Sequence, residues 1–168
     1  DGAIAPSSAT LRILRNYGVK TPVSVIPSGI DWDSFQGYKR ENSRRELGIP
    51  ADCMLLIYLG RVAKEKNLPF LIDVFIRLCK ENFANDKIKF MIIGGGPEFA
   101  SIKKSAADNG MSDRIIFTGM LPKEKVPFYL AAGDLFIYSS ITETQGLVVA
   151  EAMAAGLPVV AAEAMGVE

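Results

Sequence analysis

Short apolar segments alternate along the chain with longer stretches in which apolar residues recur every three or four positions. Most of the short segments are rich in Ile, Val, Leu, Phe or Tyr, which predicts β-strands. The predicted strands are 23–26, 54–59, 88–93, 114–117, 135–138 and 158–161. Several are apolar on both faces, which is typical of strands that helices cover on each side.

The longer stretches predict amphipathic helices at 8–17, 68–82, 99–109, 123–132 and 145–155. In the second of these, Leu71, Val74, Phe75 and Leu78 share one stripe of the helix surface. All but this helix are followed directly by glycine, which is a typical helix end. Strands that alternate with helices in this way predict an α/β fold with a parallel sheet and helices on both faces.

The opening segment differs from the rest of the chain. A length of 168 residues with 49% hydrophobic content suits a single domain with one buried core. Residues 1–35 contain only one helix and one strand before the loop at 27–31, so we interpret them as a connector, and residues 36–168 as the main domain. The chain ends at Glu168, soon after the last predicted strand, and we expect the domain to be incomplete.

Charge and composition narrow the range of partners and chemistries. Lys plus Arg equals Asp plus Glu, with 19 of each, which argues against nucleic acid as the main partner because phosphate-backbone binding needs a basic surplus. No apolar run is long enough to span a bilayer and no secretory signal pattern opens the chain, which predicts a cytoplasmic protein. Cys53 and Cys79 are expected to be buried free thiols. The chain contains no histidine, which excludes a Ser–His or Cys–His pair within it.

The loop at 60–67 is a candidate phosphate site, because ligands of open parallel sheets bind beyond the carboxyl ends of the strands. Arg61 carries a planar guanidinium that suits phosphate oxygens, and Lys66 lies near the start of the next predicted helix. Two cations beside helix N-terminal amides can hold a diphosphate. The alternative is a solvated basic loop.

Two carboxylates, Glu143 and Glu151, stand eight residues apart around the start of the last predicted helix. Eight helical residues span ~12 Å, so each carboxylate can bind a sugar at one end of a diphosphate. The amides of Gln145, Gly146 and Leu147 at the helix start can hold the phosphate between them. The alternative is that Glu143 complements the helix dipole and Glu151 is an exposed helical residue.

Three other motifs are weaker. Asp31-Trp32-Asp33 has the Asp-x-Asp form of some metal sites but is better interpreted as a turn, and we expect no bound metal. The glycines at 94–96 lack the full dinucleotide pattern and indicate a tight turn that brings the backbone close to a ligand or helix. The mixed charges at 123–125 are typical of a solvated helix start.

The segment 143–161 resembles the Glu-x7-Glu signature of family 4 retaining glycosyltransferases. Further segments resemble the same family in the same order, and together they cover nearly the whole chain: 25–31, Gly60-Arg61 with Lys66, 92–97, 116–119 and 132–136. Members of this family have the GT-B fold, in which two Rossmann-like domains face a cleft. This chain resembles the C-terminal domain, which binds the donor, together with the connecting stretch.

The resemblance implies roles for the two cations and the two carboxylates. Arg61 and Lys66 would bind the diphosphate and stabilise its growing charge as the glycosidic bond breaks. Glu151 would bind the ribose hydroxyls, and Glu143 would contact hydroxyls of the transferred sugar.

The resemblance also assigns backbone contacts. Gln145, Gly146 and Leu147 would contact the distal phosphate and the sugar, and Gly119 and Met120 would lie near the base. Many relatives carry an aromatic residue where Gln145 stands, which leaves the donor sugar open.

The function implied is retaining transfer of a hexose from a nucleotide diphosphate sugar, expected to be a UDP-sugar, without a metal or other cofactor. The acceptor is expected to be a lipid or a glycan bound by a separate N-terminal domain, with peripheral contact at the inner membrane face. This chain alone is therefore expected to be inactive. The alternatives are a non-catalytic module that binds nucleotide sugars and a GT-B nucleotide-sugar epimerase.

Overall fold

The structure is a computed structural model that describes residues 1–81 and 87–163. Its strands are β1 (Ala3–Ala5), β2 (Val23–Val25), β3 (Met54–Leu59), β4 (Ile88–Ile93), β5 (Ile115–Gly119), β6 (Leu135–Tyr138) and β7 (Val159–Ala161). Its α-helices are α1 (Ser8–Asn16), α2 (Arg40–Leu47), α3 (Leu68–Glu81), α4 (Phe99–Asp108), α5 (Val126–Leu130) and α6 (Leu147–Ala154). Short 3-10 turns cover Trp32–Phe35, Lys64–Lys66 and Lys123–Lys125.

Five of these strands form one parallel sheet in the order β5-β4-β3-β6-β7. The predicted α/β fold, a Rossmann-like parallel sheet with helices on both faces, is confirmed. The two strands β3 and β4 pair over six residues each, and Leu55, Ile57, Phe90 and Ile92 on them are completely buried. Because both faces of these strands are covered, they are apolar at nearly every position, and the predicted bounds of both are correct.

The order of connections creates a crevice at one edge of the sheet. From β3 the chain proceeds outwards through β4 to β5, and from β6, which pairs with the other side of β3, it proceeds outwards to β7. The loops that follow β3 and β6 therefore diverge above two neighbouring strands. Such a topological switch point is where open α/β sheets bind their ligands.

Two elements were not predicted. The strand β1 is three residues long and pairs in parallel with β2 in a separate two-stranded sheet, so the pattern of one short strand gave too little signal. The helix α2 is dominated by charged and polar residues, and it is held by the burial of Arg44 rather than by an apolar stripe.

Two predicted helices differ from the structure by more than one residue at a boundary. The last helix begins at Leu147 rather than at residue 145, because Gly146 adopts a left-handed conformation with φ of 63°. The stretch 123–132 divides into the turn Lys123–Lys125 and the short helix α5. The predicted helix end at Asn82 and the chain end at Glu168 lie outside the described residues.

Two expectations from composition can be compared with the fold. Cys53 and Cys79 are both buried and free, as predicted. In the described parts of the chain, none of the helices has the length and apolar character needed to cross a bilayer.

Candidate functional site

The loop after β3 presents Arg61 to solvent. The hydroxyl of Tyr58 donates a hydrogen bond of 2.9 Å to the backbone oxygen of Arg61, which fixes the backbone while the side chain remains exposed. Within residues 1–81 and 87–163 the Arg61 guanidinium has neither an ion pair nor a hydrogen bond. An exposed cation without a partner, on a fixed backbone, is available to bind an anion.

The glycines at 94–96 pack against this loop rather than against a helix. A Cβ atom at Gly94 would lie 2.0 Å from the backbone oxygen of Gly60, and one at Gly96 would lie 2.3 Å from the backbone oxygen of Val62. The amide of Val62 also donates to the oxygen of Gly95 at 3.0 Å. The glycines therefore permit two loops at adjacent strand ends to interlock, and this contact holds the backbone on either side of Arg61.

Lys66 and Glu143 meet across the gap between the loops after β3 and β6. The Nζ atom of Lys66 lies 2.8 Å from Oε2 of Glu143 and 3.1 Å from the hydroxyl oxygen of Tyr138. The Tyr138 hydroxyl lies 2.6 Å from the same Glu143 oxygen. Both charged side chains are mostly buried, with 16% of Lys66 and 15% of Glu143 exposed. We name Lys66, Tyr138 and Glu143 the Lys–Tyr–Glu cluster.

The Lys–Tyr–Glu cluster keeps both of its charges. Burial by itself would raise the pKa of Glu143, but hydrogen bonds from Lys66 and Tyr138 and the Lys66 charge hold that pKa below its usual value. Burial would lower the pKa of Lys66, but its bonds to Glu143 and Tyr138 raise it instead. Glu143 is thus ionised and Lys66 protonated at neutral pH.

Buried serines fasten the two loops to each other. The hydroxyl of Ser139 donates to the backbone oxygens of Lys66 and Asn67, at 2.9 and 3.0 Å. The amide of Ile141 donates to the backbone oxygen of Glu65 at 3.1 Å. Asn67 adopts a left-handed φ of 52°, which turns the chain from the Lys64–Lys66 turn into α3. These contacts set the distance across which Lys66 and Glu143 meet.

The crevice above the switch point consists of two adjoining cavities. One, of about 250 Å³, is lined by Arg61, Lys66, Tyr138, Glu143 and their neighbours, which include Gln145 and Leu147. The other, of about 510 Å³, lies between the glycine loop, Met120 and Leu121. Gly60 and Arg61 line both cavities, so one continuous crevice has polar groups at one end and apolar groups at the other.

At the apolar end, Met120 has 84% of its surface exposed. Gly119 is the last residue of β5, and its oxygen accepts a hydrogen bond of 3.0 Å from the amide of Gly94. Gly119 itself does not line the cavity, whereas Met120 does. The loop predicted near the base therefore borders the crevice mainly through Met120 and Leu121.

Other predicted site residues are placed less directly. The Gln145 side chain donates a hydrogen bond of 3.1 Å to the backbone oxygen of Pro6. This bond attaches the loop before α6 to the N-terminal segment. Gln145 lies before α6, and Gly146 is buried and does not line the polar cavity. Of the three amides predicted to hold the phosphate, only that of Leu147 therefore lies at the start of α6.

Glu151 lies one turn beyond Val148, which lines the polar cavity, but does not line that cavity itself. Its carboxylate is half-buried and makes no hydrogen bond to the described residues. Burial raises the pKa of Glu151, and the positive charge of Lys123 opposes this only partly. A buried carboxylate without a donor is costly to a folded protein unless a ligand supplies one.

The weaker motifs have structural roles in the described chain. Asp31 precedes the 3-10 turn Trp32–Phe35 and Asp33 lies within it, and the Ser34 hydroxyl donates to the Asp31 backbone oxygen at 2.7 Å. Across residues 1–81 and 87–163, His, Cys, Asp and Glu side chains do not form a group of three or more that could hold a metal.

The chain is similar to known proteins in sequence and in structure. The family described as glycosyl transferases group 1 matches residues 39–168. The chain belongs to the group 1 glycosyltransferases. The family predicted from the Glu-x7-Glu segment and its companions is therefore confirmed.

Individual glycosyltransferases are similar over almost the whole chain. It is 37% identical over 166 residues to alpha-monoglucosyldiacylglycerol synthase of Streptococcus pneumoniae, covering 96% of this chain and 37% of that protein. It is 31% identical over 157 residues to 2-deoxystreptamine glucosyltransferase of Streptomyces kanamyceticus, covering 92% of this chain and 40% of that protein. The chain thus spans about two fifths of the length of these relatives.

A solved structure supports the same fold. HepE of Anabaena, in complex with UDP and glucose, superposes with a TM-score of 0.85 and 25% identity, covering 98% of this chain and 45% of that chain. This glycosyltransferase domain therefore shares the fold of a protein whose structure contains UDP and glucose.

Sequence reasoning about this glycosyltransferase missed the residues that hold the site together. Tyr138 is the last residue of a correctly predicted strand, and the rule that ligands bind at carboxyl ends of strands could have singled it out. Ser139 and Ser140 follow it and are 1% exposed. Two polar side chains directly after an apolar strand gave a weak signal, since serines are common in loops.

Proposed function

We propose that this chain is the donor-binding part of a retaining hexosyltransferase that uses a nucleotide diphosphate sugar, with a UDP-sugar as the preferred donor. Arg61 and Lys66 bind the diphosphate, Glu143 binds hydroxyls of the sugar, and Glu151 binds the ribose. Leu147 contributes its amide to the distal phosphate. Met120, beside Gly119, borders the base.

The observation that carries this proposal is the exposed, unpaired Arg61 at the centre of one crevice. The guanidinium has no ion pair within the described residues and borders both cavities. The polar cavity on one side holds the Lys–Tyr–Glu cluster, and the apolar cavity on the other holds Met120. Along the crevice the order is carboxylate, cation and apolar surface. This order fits a donor in which the diphosphate lies between a sugar and a base.

The chemistry follows from the charges. As the bond between the sugar and the diphosphate breaks, negative charge grows on the departing phosphate oxygen. Arg61 and Lys66 are cations beside the cavity that would stabilise this charge more strongly than that of the bound donor. Glu143 stays ionised because Lys66 and Tyr138 hold its pKa down, so it can accept hydrogen bonds from sugar hydroxyls.

The acceptor belongs to the whole protein. One relative is named as an alpha-monoglucosyldiacylglycerol synthase and another as a 2-deoxystreptamine glucosyltransferase, and these names support a lipid or a glycan acceptor. We propose a lipid or glycan acceptor bound mainly by a further domain, with the lipid case bringing the whole protein to a membrane surface. The 168-residue chain alone then binds donor without transferring it.

Calorimetric titration of the chain with UDP, GDP and ADP, each with and without EDTA, tests the proposal. We expect saturable binding, tightest for UDP, that the chelator leaves unchanged. A folded sample that releases no heat with any of the three nucleotides would contradict it. Affinity that disappears with EDTA would contradict the metal-free mechanism alone.

A further inference from the structure

Tyr138 is more deeply buried than the charged residues it contacts. It is 3% exposed, and its ring stacks against that of Tyr58, at a centroid distance of 5.8 Å, and that of Phe136, at 6.0 Å. Its backbone oxygen accepts a hydrogen bond of 2.8 Å from the amide of Ala162, next to the pairing of β6 with β7. The position of its hydroxyl is therefore set by the core of the domain.

That hydroxyl can satisfy both charged neighbours at once. Lys66 is a donor only and a carboxylate is an acceptor only, so Lys66 donates to the Tyr138 oxygen and Tyr138 donates to Oε2 of Glu143. The Lys66 ammonium also lies 5.7 Å from the centre of the Tyr138 ring. Long side chains such as Lys and Glu lose rotamer freedom when held in this way.

The arrangement makes the two oxygens of Glu143 unequal. Oε2 accepts short hydrogen bonds of 2.8 Å from Lys66 and 2.6 Å from Tyr138. Among described residues, Oε1 accepts only a longer bond of 3.3 Å from the amide of Thr144. Because Glu143 lines the polar cavity, Oε1 retains lone pairs for a ligand hydroxyl.

We propose that Tyr138 is a positioning residue for donor binding, whose hydroxyl engages Oε2 of Glu143 together with Lys66 and leaves Oε1 for the donor sugar. This inference rests on the proposed function, because it assumes that the polar cavity holds the sugar end of the donor. Tyr138 acts through Glu143 and Lys66 and does not itself contact the reacting atoms.

The charges around Glu143 agree with this role. The titratable groups that face it are Lys66 from the loop after β3, Tyr138 from β6 and Tyr58 from β3, and Arg61 borders the same cavity. A hydrogen bond from Tyr138 to the carboxylate favours the ionised form and lowers the pKa of Glu143. Removing that bond should raise the pKa of Glu143.

The test compares Tyr138→Phe with Tyr129→Phe, which removes a hydroxyl from a tyrosine of α5 outside the crevice. Calorimetry measures UDP-glucose and UMP binding at pH 7, and NMR of chain labelled with carboxyl-¹³C glutamate measures the pKa of Glu143. We expect Tyr138→Phe to weaken UDP-glucose binding about three- to tenfold, to leave UMP binding unchanged, and to raise the pKa of Glu143. Tyr129→Phe should change none of these values.

The outcomes separate this inference from the proposed function. If wild-type chain does not bind UDP-glucose, the proposed function and this inference both fail. If Lys66→Ala weakens UDP-glucose binding while Tyr138→Phe leaves it and the pKa of Glu143 unchanged, only the role of Tyr138 is overturned. Equal weakening of UMP and UDP-glucose by Tyr138→Phe would also overturn it, because general damage to the domain acts on both ligands.

A second variant covers the case in which Tyr138→Phe does not fold. Incorporation of 3-fluorotyrosine at position 138 keeps the ring and the hydroxyl but makes the hydroxyl a stronger donor. We expect the pKa of Glu143 to fall and UDP-glucose affinity to change while UMP affinity does not. An unaltered pKa of Glu143 in the fluorinated chain would overturn the inference.

Discussion

Two charged clusters lie at opposite ends of the neighbouring strands β3 and β6, and they differ in how completely their hydrogen bonds are satisfied. At the amino ends, Asp134 pairs with Arg40 and Arg44. At the carboxyl ends, the Lys–Tyr–Glu cluster faces a cavity beside the unpaired Arg61. The same sheet thus carries one cluster closed by the protein and one left open.

The closed cluster is saturated by the fold. Arg44 is 3% exposed and donates to the backbone oxygens of Ala132 and Cys53, each at 2.8 Å, as well as to Asp134. Asp134 also accepts a bond of 2.7 Å from the amide of Leu55, the second residue of β3. These bonds attach α2 to the start of two core strands, so the cluster stabilises the domain.

The Lys–Tyr–Glu cluster and the charged residues near it, Arg61 and Glu151, show the opposite balance. Arg61 has no partner within the described residues, Glu143 keeps one oxygen lightly bonded, and Glu151 makes no hydrogen bond there. Groups that a protein leaves unsatisfied cost stability unless a ligand binds them. The comparison teaches that satisfaction of hydrogen bonds, rather than charge itself, separates the structural cluster from the proposed binding cluster.

Of the replacements that test this comparison, that of Asp134 should produce the largest change, which is a loss of stability. Asp134→Asn leaves Arg44 as a buried charge without its carboxylate, which should lower the free energy of unfolding by about 3–5 kcal/mol. Urea denaturation at pH 7 measures this loss in the free energy of unfolding. The control Glu81→Gln breaks the exposed pair with Arg77 at 3.9 Å and should cost less than about 0.5 kcal/mol. Equal losses in the two variants would show that the Asp134 cluster is not a structural centre.

Replacing Arg61 should affect binding instead of folding. Arg61→Ala removes a charge-assisted phosphate contact and should weaken UDP binding by about 1.5–3 kcal/mol, with an unchanged urea midpoint. The control Arg77→Ala removes an exposed arginine of α3 and should leave UDP affinity as it is. Calorimetry in which Arg61→Ala binds UDP as tightly as wild type would remove Arg61 from the site.

Replacing Glu151 should have a smaller effect. It should make the fold more stable but weaken UDP binding. Because burial raises the folded-state pKa of Glu151, its ionised form destabilises the fold above that pKa, and the penalty disappears as pH falls below the unfolded value. Glu151→Gln should therefore unfold at higher urea than wild type at pH 7, with the difference shrinking towards pH 4.

The same variant should weaken UDP binding by about 0.5–1.5 kcal/mol through loss of a ribose hydrogen bond. Glu46→Gln, on the exposed side of α2, is the control for both measurements. A Glu151→Gln chain that is less stable than wild type at pH 7 would mean that the carboxylate has a protein partner. Unchanged UDP affinity would remove Glu151 from the ribose contact.

The sequence predicted the sheet better than the site. Strands β3, β4 and β6 were predicted with their correct bounds. Burial on both faces leaves a continuous run of apolar residues, which can be recognised from the local sequence. The helix α2 escaped prediction because its stability comes from Arg44 reaching residues far along the chain, such as Asp134. A periodicity carries no information about such a contact.

The individual site residues could be proposed from position at strand ends, but their partners could not. The direct pairing of Lys66 with Glu143 joins residues 77 positions apart in sequence. The contact of Gln145 with Pro6 likewise depends on how the N-terminal segment packs. Both contacts follow from tertiary packing, which a local sequence pattern does not encode.

The most direct test of the central claim is amide chemical-shift mapping of the chain during titration with UDP-glucose. If one crevice at the switch point binds the donor, the largest changes should fall in residues 60–67, 119–121 and 143–151 together. Changes confined to a surface away from these loops, such as the apolar groove beside Phe70 and Val160, would contradict the account.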